Sequence, residues 1–307
     1  MANPFTQRAF GCAVIKSVNS NYNADFTHQP RTLPDGTVYA TDKALKYTVR
    51  NYFKSLFPDE KVFYFRSLSD DLQPRTLDEN YVAHFGDFPK EKEKELRKLV
   101  LKNLLSCLDV RLFGGTFAVK SINLSLHGPV QVSHGINRFI EGVIYSEQIM
   151  SPFRNPGEKQ QDSTMTTLGA QSKLKEGHYV HHFSVNPQNL EGLAQLSEGQ
   201  PLTGDDIQKL KEGLSRGATL YDSAAKAGTE NELLLWVQLK PGSMLVLPSF
   251  VEKVSVGEDR AIDLSAVSAI LERPSVENHI DTIEVYRDPG TAITGAPVKA
   301  QYFEIHR

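Results

Sequence analysis

The chain has 307 residues, of which 40% are hydrophobic and 23% are charged, and its net charge at pH 7 is -3. A chain of this length and composition folds as one large domain or as a core with sizeable insertions, which excludes a largely disordered protein. The slightly negative net charge argues against a protein that coats nucleic acid indiscriminately, since such proteins gain affinity by neutralising phosphates.

The expected compartment is a reducing cytoplasm. Cys12 and Cys107 are the only cysteines, too few for a disulfide framework or a cysteine-rich zinc site. Residues Met1–Phe10 contain no apolar signal core, and no run approaches the ~18 apolar residues that a membrane-spanning helix needs. We therefore expect no export signal and no membrane partner.

Apolar patterns predict interleaved strands and helices. In chain order, the predicted strands are Ala9–Val18, Lys61–Arg66, Ser121–Leu126, His178–Val185, Leu233–Leu239, Met244–Leu247, Val251–Val256, Thr282–Tyr286 and Lys299–Ile305. The predicted helices cover about residues 41–57, 91–108 and 203–216. Because the elements follow no regular βαβ rhythm, we predict an α+β fold rather than a doubly wound sheet.

Two polar segments, Asn19–Ala40 and Ser151–Gly177, interrupt this pattern. Segments of this length inside a compact domain are functional loops or mobile surface loops, and composition alone does not separate the two. We predict a single domain over residues 1–307. Its core covers about residues 9–18, 41–150 and 178–307, with insertions at about 19–40 and 151–177.

The first helix carries basic residues of one sign along one face. At about 100° per residue, Lys43, Lys46, Arg50 and Lys54 fall within an arc of about 80°. Like-charged pairs four residues apart destabilise a helix, and a bound anion such as phosphate would offset that effect. The run at 90–95 alternates in sign instead, as an ordinary solvated helix start does. Thr41 is a candidate N-cap whose hydroxyl accepts a backbone hydrogen bond.

Two glycine-containing segments follow the second predicted helix. Residues 109–115 read Asp-Val-Arg-Leu-Phe-Gly-Gly, and residues 128–135 read Gly-Pro-Val-Gln-Val-Ser-His-Gly. The second segment and the residues after it contain side chains of the types that contact phosphate and sugar oxygens. These are Gln131, Ser133, His134, Asn137 and Arg138.

These two segments, in this order, resemble the backbone subunit of type I CRISPR Cascade complexes, the Cas7 family, and most closely its I-B and I-C branches. The resemblance extends upstream to Asn19–Asn23, Pro30-Arg31 and the basic helix. Downstream it continues through the polar insertion to residues 220–226 and the strand Leu233–Leu239. It therefore covers most of the chain.

The resemblance implies a modified ferredoxin-like (RNA-recognition-type) palm with inserted finger and thumb segments. Copies stack into a helical filament along a guide RNA, and the palm holds the sugar-phosphate backbone without reading its sequence. The thumbs kink the guide, and the exposed bases pair with target DNA. The implied partners are the guide RNA, target DNA, neighbouring copies, and the cap subunit at the five-prime end, the large subunit and the small subunit. Neither catalysis nor a cofactor is implied.

Carried over onto matching positions, the implied palm contacts are Arg31, Lys43, Lys46, Arg50, Gln131, Ser133, His134, Asn137 and Arg138. The implied thumb lies within residues 151–177. There Met165 or Leu168 is placed to wedge against a displaced base, and Lys173 or Lys175 is placed to meet phosphate. Residues 165–173 lack the more basic, proline-containing sequence of related branches.

One alternative is a target-RNA nuclease similar to the type III backbone subunits, which use an aspartate in the loop after the first strand. Asp25 lies in the equivalent region of this chain. A carboxylate there could position a metal or polarise attack by a 2′-hydroxyl group. Aspartate is also common in turns, where it forms local hydrogen bonds.

Two further alternatives concern a metal and a different partner. His178 and His182 share one face of a predicted strand and His181 lies on the other, but no cysteine and no third ligand completes a zinc site. We therefore expect no metal. A generic interaction domain without RNA also remains open, and it leaves the basic helix face unexplained. No hydrolase, thiol-nucleophile or dinucleotide-binding motif is present.

Overall fold

The computed structural model describes residues 4–90, 93–150 and 168–305. The helices in these ranges are α1 (Asp42–Leu56), α2 (Leu77–Phe85), α3 (Glu93–Leu104), α4 (Leu108–Phe113), α5 (Gln188–Ser197), α6 (Gly204–Leu220), α7 (Ser265–Leu271) and α8 (Pro274–Glu277). None of these helices is long and apolar enough to cross a membrane.

The strands in the same ranges are β1 (Ala9–Ser20), β2 (Tyr39–Ala40), β3 (Gly114–Val119), β4 (Ile122–His127), β5 (Val130–Val132), β6 (Gly135–Asn137), β7 (Ile144–Met150), β8 (Leu168–Val185), β9 (Thr229–Leu239), β10 (Ser255–Val256), β11 (Ile262–Asp263), β12 (Ile280–Arg287), β13 (Ile293–Thr294) and β14 (Gln301–Glu304). Strands and helices interleave irregularly, which confirms the predicted α+β class.

Most strands join one sheet in the order β14-β12-β9-β1-β8-β6-β2, and β5 and β7 also pair with β8. The strand β1 lies inside this sheet, antiparallel to both β8 and β9. Its register with β8 runs from Ala9 opposite Val185 to Ser20 opposite Leu174. Two smaller sheets, β10-β11-β13 and the hairpin β3-β4, complete the strand pairing.

Both faces of β1 are buried because a layer packs on each face of the sheet. Alternate side chains of a strand point to opposite faces. Ile15 belongs to the larger apolar core, which includes residues of α1 and α6. Val14 belongs to a second core, which includes residues of α7 and β12. The sheet is therefore a central layer, and its buried faces explain why β1 is apolar nearly throughout.

The strand β8 is 18 residues long, and its two halves pair with different strands. Its second half pairs with β1, while its first half pairs with β7, from Leu168 opposite Met150 to Leu174 opposite Ile144. The side chains of β7 are mostly exposed, so these two segments form a two-stranded arm. The sequence predicts a polar insertion up to residue 177; the structure instead extends a core strand back to residue 168.

The strongest sequence patterns correspond to observed elements. The helices predicted at 41–57 and 203–216 are α1 and α6, and the strands predicted at the start of the chain and before residue 240 are β1 and β9. The helix predicted over 91–108 is wrong in part, because α3 ends at Leu104 and α4 begins separately at Leu108. The short helices α2 and α5 were not predicted.

Two predicted strands are wrong. The segment Lys61–Arg66 does not form a strand, because the backbone N–H groups of Phe63 and Tyr64 donate to the Asp109 carboxylate at 2.7 and 2.9 Å instead of to a neighbouring strand. The segment Met244–Leu247 belongs to no strand of the described residues. Val251–Val256 is a strand only at β10, because it starts with a 3₁₀ turn over Val251–Lys253.

Glycines in the segments 109–115 and 128–135 allow the backbone to pack closely. Gly114 has φ +66°, and a Cβ placed there would lie 2.1 Å from the carbonyl oxygen of Leu126. A Cβ on Gly128 would lie 2.2 Å from the carbonyl carbon of Phe113. Only glycine allows this approach. The segments 109–115 and 128–135 therefore lie directly against each other, and the fold itself accounts for these glycines.

Candidate nucleic-acid interface

Residues 131–138, hereafter the donor loop, lie against the start of α1. The strand β6 of this loop pairs with β2, with Tyr39 opposite Ile136 and Ala40 opposite Gly135. The backbone N–H of Asp42 donates to Nδ1 of His134 at 3.3 Å. The Tyr39 ring stacks on the His134 ring with centroids 5.5 Å apart. The structure thus brings together two segments that the sequence connects to RNA separately.

The inserted segment 19–40 is hydrogen-bonded to the residue that precedes α1. Oδ1 of Asn23 accepts hydrogen bonds from the Thr41 N–H at 2.9 Å and from the Thr41 hydroxyl at 3.0 Å. The predicted N-cap is therefore wrong in its chemistry, because the Thr41 hydroxyl donates to Asn23 and caps no backbone N–H. The N–H of Arg31 donates to the carbonyl of Asn23, and the N–H of Tyr39 donates to the carbonyl of Arg31.

The basic face of α1 is less uniform than its sequence suggests. Nζ of Lys46 lies 3.1 Å from the Asp42 carboxylate. Nε of Arg50 lies 3.0 Å from the buried Asp109 carboxylate, and the Arg50 guanidinium lies over the Phe113 ring. Both side chains are largely buried. The premise of unpaired like charges is therefore wrong for these two residues, because acidic groups from Asp42 and a distant segment neutralise them.

Lys43 and Lys54 are the exposed cations of this face. The Lys43 side chain is 84% exposed and its Nζ lies 3.5 Å from Asp42. Burial opposes ionisation of Asp42, but the hydrogen bond from Lys46 and the charges of Lys46 and Lys43 outweigh it and lower the pKa of the carboxyl. Lys54 lies 5.0 Å from the centroid of the Phe65 ring. The groups accessible to an anion are thus at the two ends of the helix face.

The donor-loop side chains divide into exposed and structural groups. Gln131 is exposed and donates to the carbonyl of Gly128 at 2.8 Å. Oγ of Ser133 accepts from the His182 N–H at 3.0 Å, which fixes the loop to β8. The Asn137 amide bridges backbone groups of Phe139 and His178.

Arg138 points toward a different part of the chain. Its guanidinium donates to the Glu252 carboxylate at 3.0 Å and to the carbonyl of Val254 at 3.3 Å. Among the donor-loop residues, Gln131 and His134 are therefore the ones most accessible to a ligand, and Arg138 is partly accessible.

The predicted thumb residues are only partly described. Met165 lies outside the described residues, and so does the Leu168 side chain, although the Leu168 backbone begins β8. Nζ of Lys173 lies 3.0 Å from the Glu147 carboxylate across the β7–β8 arm. Lys175, two residues further along β8, is exposed. Lys173 is thus held in an ion pair with the neighbouring strand.

Asp25, the alternative catalytic residue, accepts hydrogen bonds from residues of its own turn. Its Oδ1 accepts from the N–H and the hydroxyl of Thr27, both at 2.8 Å, and from the N–H of Gln29 at 3.0 Å. The Thr27 hydroxyl is the main cause of the lowered pKa of this exposed carboxyl. The geometry is that of an aspartate that stabilises a tight loop.

The three histidines of β8 are each engaged by protein groups. Nδ1 of His178 lies 2.6 Å from the Glu232 carboxylate, and Nδ1 of His181 lies 3.1 Å from the Ser133 carbonyl oxygen. Nδ1 of His182 accepts from the Phe250 N–H. Burial lowers the pKa of both His181 and His182 to about 4, so both are neutral at pH 7. Among the described residues, no group of three His, Cys, Asp or Glu side chains could hold a metal ion.

Tyr39 is the member of this interface that sequence reasoning missed. It precedes α1 by three positions and gives no periodic signal, and only the pairing of β2 with β6 places its ring on His134. With Lys43, His134 and Gln131, the surface offers a cation, an imidazole, an amide and an aromatic face. Such a set can hold the phosphates and bases of a single-stranded nucleic acid.

Comparisons with known proteins find similarity in sequence and in fold over most of the chain. Residues 7–266 match the family model of the CRISPR-associated protein Cas7. A solved structure described as a CRISPR RNA-guided surveillance complex in its pre-nicking state is similar with a TM-score of 0.56 and 13% identity, over 97% of this chain and 96% of that one. A second, described as a CRISPR RNA-guided surveillance complex, gives 0.53 and 13%, over 96% and 94%. No curated protein sequence matches the chain.

Proposed function

The chain belongs to the Cas7 family of CRISPR-associated proteins, and we propose that it binds CRISPR guide RNA without cleaving it. In this proposal it is the repeated, filament-forming backbone subunit of a type I Cascade complex, of the I-B or I-C branch. Each copy presents part of the guide for pairing with target DNA.

The observation that carries this proposal is the meeting of the donor loop with the start of α1. These segments are 92 residues apart in sequence at the bond between Asp42 and His134. The donor loop and α1 meet at one edge of the main sheet, beside the exposed Lys43 and the hydrogen-bonded segment 19–40. Contacts of this kind hold backbone and ring faces and do not read base edges, which suits a protein whose specificity comes from guide–target pairing.

The remaining parts of the chain fit one hand-shaped domain. The main sheet with α1 and α6 would be a modified ferredoxin-like palm, and residues 19–40 a finger. The β7–β8 arm would lead into a thumb within residues 151–177. The partners in this arrangement are neighbouring copies, the cap, large and small subunits of the complex, and target DNA, all in the cytoplasm.

A non-catalytic role is supported by the chemistry around Asp25. One carboxylate oxygen of Asp25 already accepts three hydrogen bonds from its own turn. These bonds account for Asp25 within its loop, and the proposal gives it no part in RNA cleavage.

The test uses the purified full-length chain and a labelled single-stranded RNA at a series of salt concentrations. For Lys43→Gln we expect weaker binding and a logarithmic salt slope smaller by about 0.7 to 1, because one phosphate contact is lost. Lys240→Gln is the matched control, since this exposed lysine follows β9, three strands away from β6 in the sheet. Its slope should equal that of the unaltered chain.

Three outcomes contradict the proposal. If the chain binds no RNA, the assigned function is wrong. If both lysine variants bind alike, the interface is misplaced. If the RNA is cut in the presence of a divalent cation and Asp25→Asn abolishes the cutting, the nuclease alternative is correct.

A further inference from the structure

The aromatic side chain of Phe26 projects into solvent from a hydrogen-bonded turn. Its side chain is 98% exposed. The turn is closed by the Asp25 hydrogen bonds to Thr27 and Gln29 and by His28, which takes φ +64°. The N–H of His28 also donates to the carbonyl of Asp25. A fully exposed phenylalanine gives little packing energy to this fold, so its ring is available to contact a ligand.

The ring of Phe26 is the first member of a row. The guanidinium carbon of Arg31 lies 6.0 Å from the centroid of that ring. Nε of Arg31 is buried and has no hydrogen-bond partner. The bridge between Thr32 and Val38 places Arg31 opposite Tyr39, and side chains directly opposite each other lie on the same face.

The row ends at the donor loop. Tyr39 stacks on His134 with an interplanar angle of 30°. We call Phe26, Arg31, Tyr39 and His134 the flat row, because all four side chains are planar. Planar rings and a guanidinium face are surfaces on which bases stack, which favours nucleobases as the occupants of the row.

We propose that the flat row is a stacking platform for nucleobases of single-stranded RNA, with Phe26 at its outer end. This inference rests on the proposed function and adds a second kind of contact to it. Stacking uses the π face that every base has, so it is independent of sequence. Lys43, beside Asp42, holds a phosphate next to the stacked bases. Asp25 is then a positioning residue, because its hydrogen bonds hold Phe26 outward.

The first test introduces a reporter at Phe26. Trp236 is the one tryptophan of the chain and is fully buried, so Phe26→Trp adds a single exposed tryptophan. We expect its fluorescence to be quenched when single-stranded RNA is added. An abasic oligomer of the same length, which has the phosphates without the bases, should leave the fluorescence unchanged.

The second test removes the ring. For Phe26→Ala we expect the Kd for RNA to rise about tenfold, as the loss of one stacked base predicts, and the Kd for the abasic oligomer to stay constant. Tyr302→Ala is the matched control, because Tyr302 is half exposed, lies 5.6 Å from the Arg287 guanidinium, and belongs to β14 at the other end of the sheet. It should bind both oligomers as the unaltered chain does.

The two proposals fail in different ways. If the unaltered chain binds RNA but Phe26→Ala binds it equally well and Phe26→Trp is not quenched, the flat row is not a stacking platform, while guide binding stands. Equal quenching by the abasic oligomer also overturns stacking. If the unaltered chain binds neither oligomer, the proposed function itself is wrong.

Discussion

Asp109 shows how a single buried carboxylate changes the interpretation of a basic helix. The Asp109 carboxylate accepts hydrogen bonds from the N–H groups of Phe63 and Tyr64. It also forms an ion pair with Arg50. A buried charge needs such partners, since an unpaired one is strongly destabilising. Arg50 therefore belongs first to the fold. At the residue scale, the exposed Lys43 is a better test of RNA binding than the buried Arg50.

The buried side chain of His181 makes the free energy of unfolding depend on pH. It is fully buried and its pKa is lowered to about 4, mainly by burial, against an ordinary value of 6.5. Since the unfolded chain binds the proton first, stability is complete above pH 6.5 and is lost as the pH falls from 6.5 to 4. We expect His181 to contribute a loss of about 2 kcal/mol between pH 7.5 and pH 5, measured by urea unfolding.

His181 lies within hydrogen-bond distance of the Tyr22 hydroxyl and the Ser133 carbonyl, and the control is His181→Gln, a polar side chain that does not titrate. Carboxylates also lose stabilising partners in acid, so the comparison of the two proteins isolates the histidine. The stability of the variant should fall less over the same pH interval. Parallel curves for the two proteins would show that His181 is not protonated on unfolding in this range.

At the scale of elements, the sequence predicts those that have one clear apolar periodicity. α1 and α6 each bury one stripe, and β1 is buried on both faces, so their patterns are strong. The first half of β8 was missed because it lies in an arm whose partner strand β7 is mostly exposed. Lys61–Arg66 looked like a strand, but the Asp109 carboxylate takes the hydrogen bonds that a neighbouring strand would receive.

At the scale of elements we predict the effect of replacing Gly114, the residue that joins α4 to β3. For Gly114→Ala we expect a loss of roughly 2 kcal/mol or more in the free energy of unfolding, since φ is +66° and the new Cβ would meet the Leu126 carbonyl oxygen at 2.1 Å. Gly192→Ala is the matched control. It lies in α5 with no atom near the added Cβ, and alanine there should stabilise the chain by up to about 1 kcal/mol.

Denaturant unfolding of both glycine variants measures the difference. An unchanged midpoint for Gly114→Ala would mean that the close approach between the segments 109–115 and 128–135 is not required for the fold.

At the scale of the whole molecule, the candidate site could be predicted in part. The composition of the donor loop and the basic helix pointed to one surface, and the structure joins them through Asp42 and His134. What the sequence could not supply is which side chains remain free. Arg50 and Ser133 already have partners within the chain, Asp109 and the His182 N–H, and the fold brings both of these from distant segments.

The net charge of -3 is consistent with this arrangement. Several basic side chains are neutralised inside the fold, as Arg111 is by Asp206 and Lys211 by Glu284. On the basic face of α1, Lys43 and Lys54 stay exposed, so under the proposed function each copy holds only a short stretch of RNA. Binding by each copy should be weak and should become strong only when copies assemble on one RNA.

The most direct measurement is the RNA recovered with the full-length protein after co-expression with a CRISPR array. We predict that the purified protein carries array-derived RNA, seen as excess absorbance at the nucleic-acid maximum. Limited nuclease digestion of that RNA should give protected fragments that differ by a constant length, one step for each bound copy. Protein free of RNA, or RNA with no relation to the array and no regular protection, would contradict the account.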